Sequence, residues 1–97
     1  MPGRDGQGGM TADYGRLVER LKRSDLTQLR NVRALFDMAR NMDDLELCMM
    51  ARQKAETIAR TGNAEALELV RETYLWAAPK DFDSYMIYLE WKRKPQE

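Results

Sequence analysis

Few residues in this chain have the types and spacing that catalysis needs. It contains no histidine and a single cysteine. Imidazole acid–base work, Ser-His-Asp and Cys-His nucleophile systems and the ordinary Cys/His zinc sites are therefore ruled out. Cys48 with Met38, Met42, Met49 and Met50 gathers soft sulfur atoms in one stretch. Without a second thiol or an imidazole, these read as packing residues and not as a metal or redox centre. Asp43, Asp44 and Glu46 make an acidic group of the kind that holds hard cations. They stand where a helix should begin, however, and acids there complement the helix dipole. Asp81 and Asp83 have the same explanation. No Gly-x-x-x-x-Gly-Lys-Ser/Thr phosphate loop occurs. The expectation is a non-enzymatic protein with no catalytic residue, cofactor or metal.

Two groups have the chemistry of binding instead. Arg16, Arg20 and Arg23 recur at helical spacing on one side of a first helix, as do Arg30, Arg33 and Arg40 on a second. Arg16, Arg20, Arg23, Arg30 and Arg33 are the candidates for nucleic-acid contact through phosphates. The plainer reading makes them solvated faces, with Glu19–Arg23 and Arg33–Asp37 as i, i+4 pairs worth about 0.3 kcal/mol each. A turn at Arg23-Ser24-Asp25 has the outline of a helix-turn-helix. Its second helix would open Asp25-Leu26-Thr27-Gln28, an acid where base contacts begin. The net charge is zero, with a balance of +3 over residues 11–40 and −3 over residues 41–97. That excess is too small for a dedicated nucleic-acid binder, so weak, non-specific binding is the expectation.

The second group is aromatic. Six of the eight aromatic residues lie between Tyr74 and Trp91. As a helix from about Asp81, this segment places Phe82, Tyr85, Met86 and Leu89 on one face, the expected core face. At 100° per residue Ile87 and Trp91 fall opposite, with Tyr88 between. A helix apolar all round expects neighbours all round. Ile87, Tyr88 and Trp91 are therefore the expected protein-binding residues, to be covered by a partner or a continuation of the chain. The alternative folds Trp91 back onto the fourth helix, near Leu69 and Trp76.

The elements that must carry these groups are all helical. Residues 1–10, with their glycines, read as a flexible tail, residues 11–94 as one helical domain and residues 95–97 as a flexible end. No alternating apolar–polar run or Asn-Gly hairpin signal is present. A first helix, about Ala12 to Arg23, turns Tyr14, Leu17, Val18 and Leu21 inward. Asp25 with Gln28 has the form of a capping box opening a second helix to about Arg40, with Leu29, Val32, Leu35, Phe36 and Ala39 buried. Asn41 suits the left-handed residue after it. Asp43 with Glu46 repeats the box and opens a third helix to about Arg60, lined by Leu47, Ala51, Ala55 and Ile58. Gly62 stops that helix and Asn63 caps a fourth, about Ala64 to Ala77, burying Leu67, Val70 and Tyr74 beside a stripe of Leu69, Thr73 and Trp76. Pro79 breaks it by pushing Ala78 out of helical geometry. Asp81 or Asp83 caps a fifth. Short connections imply antiparallel neighbours. The expected fold is all-α: a compact antiparallel bundle of four to five short helices with a flexible N-terminal tail.

From about Leu45 to Glu97 the chain resembles the N-terminal leader region of phage terminase large subunits. The likeness is closest in Asp81-Phe82-Asp83-Ser84-Tyr85-Met86-Ile87-Tyr88-Leu89-Glu90-Trp91 and looser in Ala51-Arg52-Gln53-Lys54-Ala55-Glu56 and Thr61-Gly62-Asn63-Ala64-Glu65-Ala66-Leu67. The resemblance implies a helical region placed before the ATPase core of a DNA-packaging motor, which couples ATP hydrolysis to DNA translocation and carries a separate nuclease. None of that machinery's motifs lies in this chain, so what carries over is an accessory role. The resulting expectation is a phage-encoded protein-binding module whose partner is the packaging ATPase core, with self-association where no partner is present. The alternatives are a free-standing small phage protein that binds and inhibits or adapts a host protein, and a small DNA-binding protein using the arginines of the first two helices. No apolar run of membrane length or signal peptide is present, which points to no membrane and to the cytoplasm of a bacterial host.

Overall fold

Asn63, Pro79 and the paired aspartates at 43 and 44 divide the chain into helices in the computed structural model, which describes residues 15–93. The expected flexible ends, and Tyr14, lie outside the described residues. A first helix, α1, is described over residues 15–23. It is followed by α2 (Leu29–Met42), α3 (Leu45–Ala59), α4 (Ala64–Ala77) and α5 (Phe82–Arg93). The described residues contain no strand, and the fold is an all-α bundle.

The helix ends follow local chemistry, with three displacements from expectation. Asp25 does not open α2, because its carboxylate accepts from the Thr27 backbone N–H at 3.1 Å and from the Thr27 hydroxyl. A hydroxyl two residues away competes for the oxygen that a capping box would use. The helix starts after Gln28 instead, with no side-chain cap. The left-handed residue closing α2 is Asp43, with φ 53°, and not Asn41. The turn closes there because the Asp43 and Asp44 N–H groups return to the Arg40 and Ala39 carbonyls at 3.2 and 2.9 Å. Asp44, and not Asp43, caps α3 by accepting from the Leu47 N–H at 3.1 Å, because Asp43 is taken up by the left-handed turn. Gly62, at φ 95°, makes the turn before α4, where only a residue without Cβ is unstrained. Asn63 accepts from the Ala66 N–H at 3.0 Å.

Ala78 stays in right-handed helical geometry (φ −51°, ψ −46°), contrary to expectation. The steric bias against that geometry before proline is modest, and the Ala78 N–H keeps its bond to the Tyr74 carbonyl at 2.9 Å. Pro79 ends the helix because it has no N–H to donate. Lys80 and Asp81 fold back onto the Ala77 carbonyl at 2.8 and 2.9 Å. Of the two candidate caps for α5, Asp81 serves, accepting from the Ser84 N–H at 3.0 Å.

The core lies where α3 sits between α2 and α4, with Val32, Leu35, Phe36, Leu47, Cys48 and Leu69 buried. Ala39, Ala51, Ala55, Ala66 and Ala77 are all 0% exposed. Their small side chains let neighbouring backbones approach closely. Leu67, expected in the core, is 45% exposed. Burial on α4 falls between its two expected stripes, on Leu69, Val70, Thr73 and Tyr74, because α4 packs against α2 and α3 on one side and α5 on another.

Candidate functional site

The fifth helix reaches the bundle through a polar hub. Arg52 sits at i+4 from Cys48, on the same strip of α3 as Ala51 and Ala55, so the helix carries its guanidinium into the core, where it is 9% exposed. Its Nε donates to Thr73 Oγ1 at 3.1 Å and one terminal nitrogen to Ser84 Oγ at 3.0 Å. The guanidinium carbon lies 3.6 Å from the centre of the Tyr74 ring. Ser84 Oγ donates in turn to the Asp81 carboxylate at 2.7 Å, and Thr73 Oγ1 to the Val70 carbonyl at 2.6 Å. A buried cation is costly unless its donors are met, and this relay meets the Nε and one terminal nitrogen from α4 and α5 together.

Electrostatics follow the same geometry. Hydrogen bonds from the Ser84 hydroxyl and N–H hold Asp81 below the usual carboxylate range. Burial raises the Tyr74 phenol, and Arg52 opposes that rise. Burial pushes the Cys48 thiol up to about 11, so at neutral pH it is protonated and a poor nucleophile. Ser84 beside Asp81 has the outline of a nucleophile and base, but Ser84 is fully buried and Asp81 is a weakened base. The hub therefore serves to hold α5 in place.

Ser84 also fixes how α5 is rotated, and it reverses the expected faces. Ile87 and Trp91 do not point outward. Both pack on the core cluster, and the Trp91 ring meets Tyr74 edge-on at 5.0 Å. At 100° per residue Ser84 lies 200° from Phe82, so burying the serine turns Phe82 to solvent. Phe82, Tyr85 and Met86, expected in the core, are 72, 43 and 44% exposed. Tyr88 stays half-buried. With Leu75 and Trp91 it lines a groove of about 330 Å³ between α4 and α5, rimmed by Glu68, Arg71 and Lys92. The structure thus brings Tyr88 and Trp91 together in this groove and leaves Ile87 out of it, against the core.

The arginines divide into two patches. Arg16, Arg20 and Arg23 line one shallow exposed depression with Glu19 and Ser24. Arg30 and Arg33 share another with Glu65 and Glu68 of α4. Arg33 makes paired 3.3 Å bonds to both oxygens of Glu72, which raises its pKa. The expected pairs Glu19–Arg23 and Arg33–Asp37 are replaced by Glu19–Lys22 at 3.8 Å and Asp37–Arg40. In each case the i+3 cation takes the carboxylate. Acids therefore surround the arginines of α2, which weakens any attraction to phosphate.

With this geometry in view, the chain was compared with protein-family models, curated proteins and solved structures. Nothing matches. Among the described residues no group of three or more Cys, Asp or Glu side chains is placed to hold a metal ion, and no helix is long and apolar enough to cross a membrane. Of the acidic group, Asp44 caps α3 in place of the expected Asp43, which instead closes α2. Arg52, Thr73 and Ser84 are the residues that sequence reading missed. A charged side chain on an alanine-lined helix face was the available signal.

Proposed function

We propose that this chain is a non-enzymatic helical module that binds protein through the outward face of α5. On the resemblance to terminase leaders, it is a phage-encoded accessory region whose partner is the ATPase core of a DNA-packaging motor. The observation that carries the reading is the exposure of Phe82 at 72%, with Tyr85 and Met86 beside it on one helical face. Leaving a phenylalanine in water forgoes about 2 kcal/mol of burial. The fold does not need the ring, since Ile87, Trp91 and Ser84 supply the attachment of α5. Aromatic anchors of this sort dominate binding energy when a partner desolvates them, with truncations costing about 2 kcal/mol or more.

The test is direct binding of the purified chain to the purified ATPase core of a tailed-phage large terminase. The wild-type chain should bind. Phe82→Ala with Met86→Ala should weaken binding by at least about tenfold while leaving the circular dichroism spectrum unchanged. If the wild-type chain fails to bind, the motor partner is refuted. If the double variant binds equally well, the face is refuted.

A further inference from the structure

The outward side of α5 has a regular order. Phe82, Met86 and Leu89 follow one another at steps of four and three residues, the alternating spacing of a coiled-coil seam, and Arg93 takes the next position. Asp83 and Glu90, one heptad apart, flank the seam on one side, and Tyr85 and Lys92 flank it on the other. All of these except Leu89, which is half-buried, are exposed. Neither Asp83 nor Glu90 has an ion-pair partner among the described residues.

Charge decides against a second copy as the occupant. In an antiparallel pair, like flanks meet, and Asp83 of one copy would face Glu90 of the other on both sides of the axis. In a parallel pair, Arg93 would meet Arg93 inside the seam. Both arrangements press like charges together. Resting on the protein-binding reading above, we infer that this face takes one amphipathic helix of a different chain. That helix has an aliphatic stripe and, along one edge, two basic side chains a heptad apart, roughly 10 Å along the axis. They meet Asp83 and Glu90. The aliphatic stripe covers Phe82, Met86 and Leu89 as knobs into holes, and the basic edge fixes which way round the helix lies.

The test uses the whole chain and two synthetic stapled helical peptides. They share a leucine stripe and carry lysine or glutamate at the flanking heptad positions. By fluorescence anisotropy the lysine peptide should bind about tenfold tighter at low salt, with the gap shrinking as salt rises. Asp83→Lys with Glu90→Lys should reverse the preference. Equal binding of the two peptides, or binding of neither, overturns the inference. So does sedimentation of the chain as a dimer that Phe82→Glu dissolves. If the peptides fail while Phe82→Ala still abolishes capture of the terminase ATPase core, the chemistry assigned to the partner is wrong and the docking face stands.

Discussion

Ser84→Ala should loosen the protein by more than the loss of one hydroxyl suggests. The hydroxyl accepts from Arg52 at 3.0 Å and donates to Asp81 at 2.7 Å. Alanine fits the space and favours the helix, so sterics and propensity predict no harm. The charge left behind predicts otherwise. The guanidinium keeps its 3.1 Å bond to Thr73 Oγ1, and its remaining contact, to the Thr73 carbonyl, is 3.5 Å, at the limit of a useful bond. Stranding one donor of a buried cation costs about 1.5–3 kcal/mol. Arg52→Met removes the charge and most of the need for partners, because the Ser84 and Thr73 hydroxyls already donate elsewhere. It should cost about 1 kcal/mol, chiefly the lost stacking on Tyr74. Once the charge is gone, Ser84→Ala becomes nearly neutral, so the double variant should resemble Arg52→Met alone. Urea unfolding followed by circular dichroism gives all three values. The double-mutant cycle should show a coupling of about 1–2 kcal/mol. Additive costs, or a Ser84→Ala variant within about 0.5 kcal/mol of wild type, would falsify the claim that Ser84 satisfies a buried charge.

Two further predictions separate the faces of α5 and the state of the lone thiol. Trp91→Ala should destabilise by about 2 kcal/mol by removing the edge contact with Tyr74, whereas Phe82→Ala should stay within about 0.5 kcal/mol; urea midpoints in the opposite order refute the rotation assigned to the helix. The Cys48 pKa, raised from 9.0 to about 11, cuts the thiolate fraction at pH 8 about 100-fold. Native labelling by a disulfide reagent should be slower by at least that factor and recover in urea, and fast labelling of the folded chain contradicts the burial. The sign of the stability effect follows from the raised value. The thiol's contribution to stability is fully present below about pH 9 and falls as pH rises toward 11, because the unfolded chain ionises first.

Helix ends set by a single residue's chemistry were legible in the sequence. The glycine at 62, the asparagine at 63 and the proline at 79 each have one favoured use. The ends expected at Asp25, Asn41 and Asp43 were less legible, because the Thr27 hydroxyl takes the Asp25 carboxylate and adjacent aspartates share the α2–α3 turn. The orientation of α5 was not legible from apolar content. Phe82, Met86 and Leu89 weigh as much as Ile87, Tyr88 and Trp91, so counting apolar side chains cannot choose between them. What chooses is a hydrogen bond from another helix to a serine. That requires knowing that Arg52 is buried and lies opposite it, which only the packed structure supplies.

The alanines at the helix contacts limit how this sequence can drift. At Ala39, Ala51, Ala55, Ala66 and Ala77 no side chain reaches solvent, so an added isobutyl group has nowhere to go except between two backbones. Overpacking of that kind typically costs about 1–3 kcal/mol, a large share of what a chain this size can lose. Exchange at these positions is confined to residues near the size of glycine, serine or cysteine. The rims of the bundle, where Leu67 and Leu75 are half in water, tolerate almost any side chain. Divergent forms of this fold should therefore share a ladder of small residues more faithfully than any set of large ones.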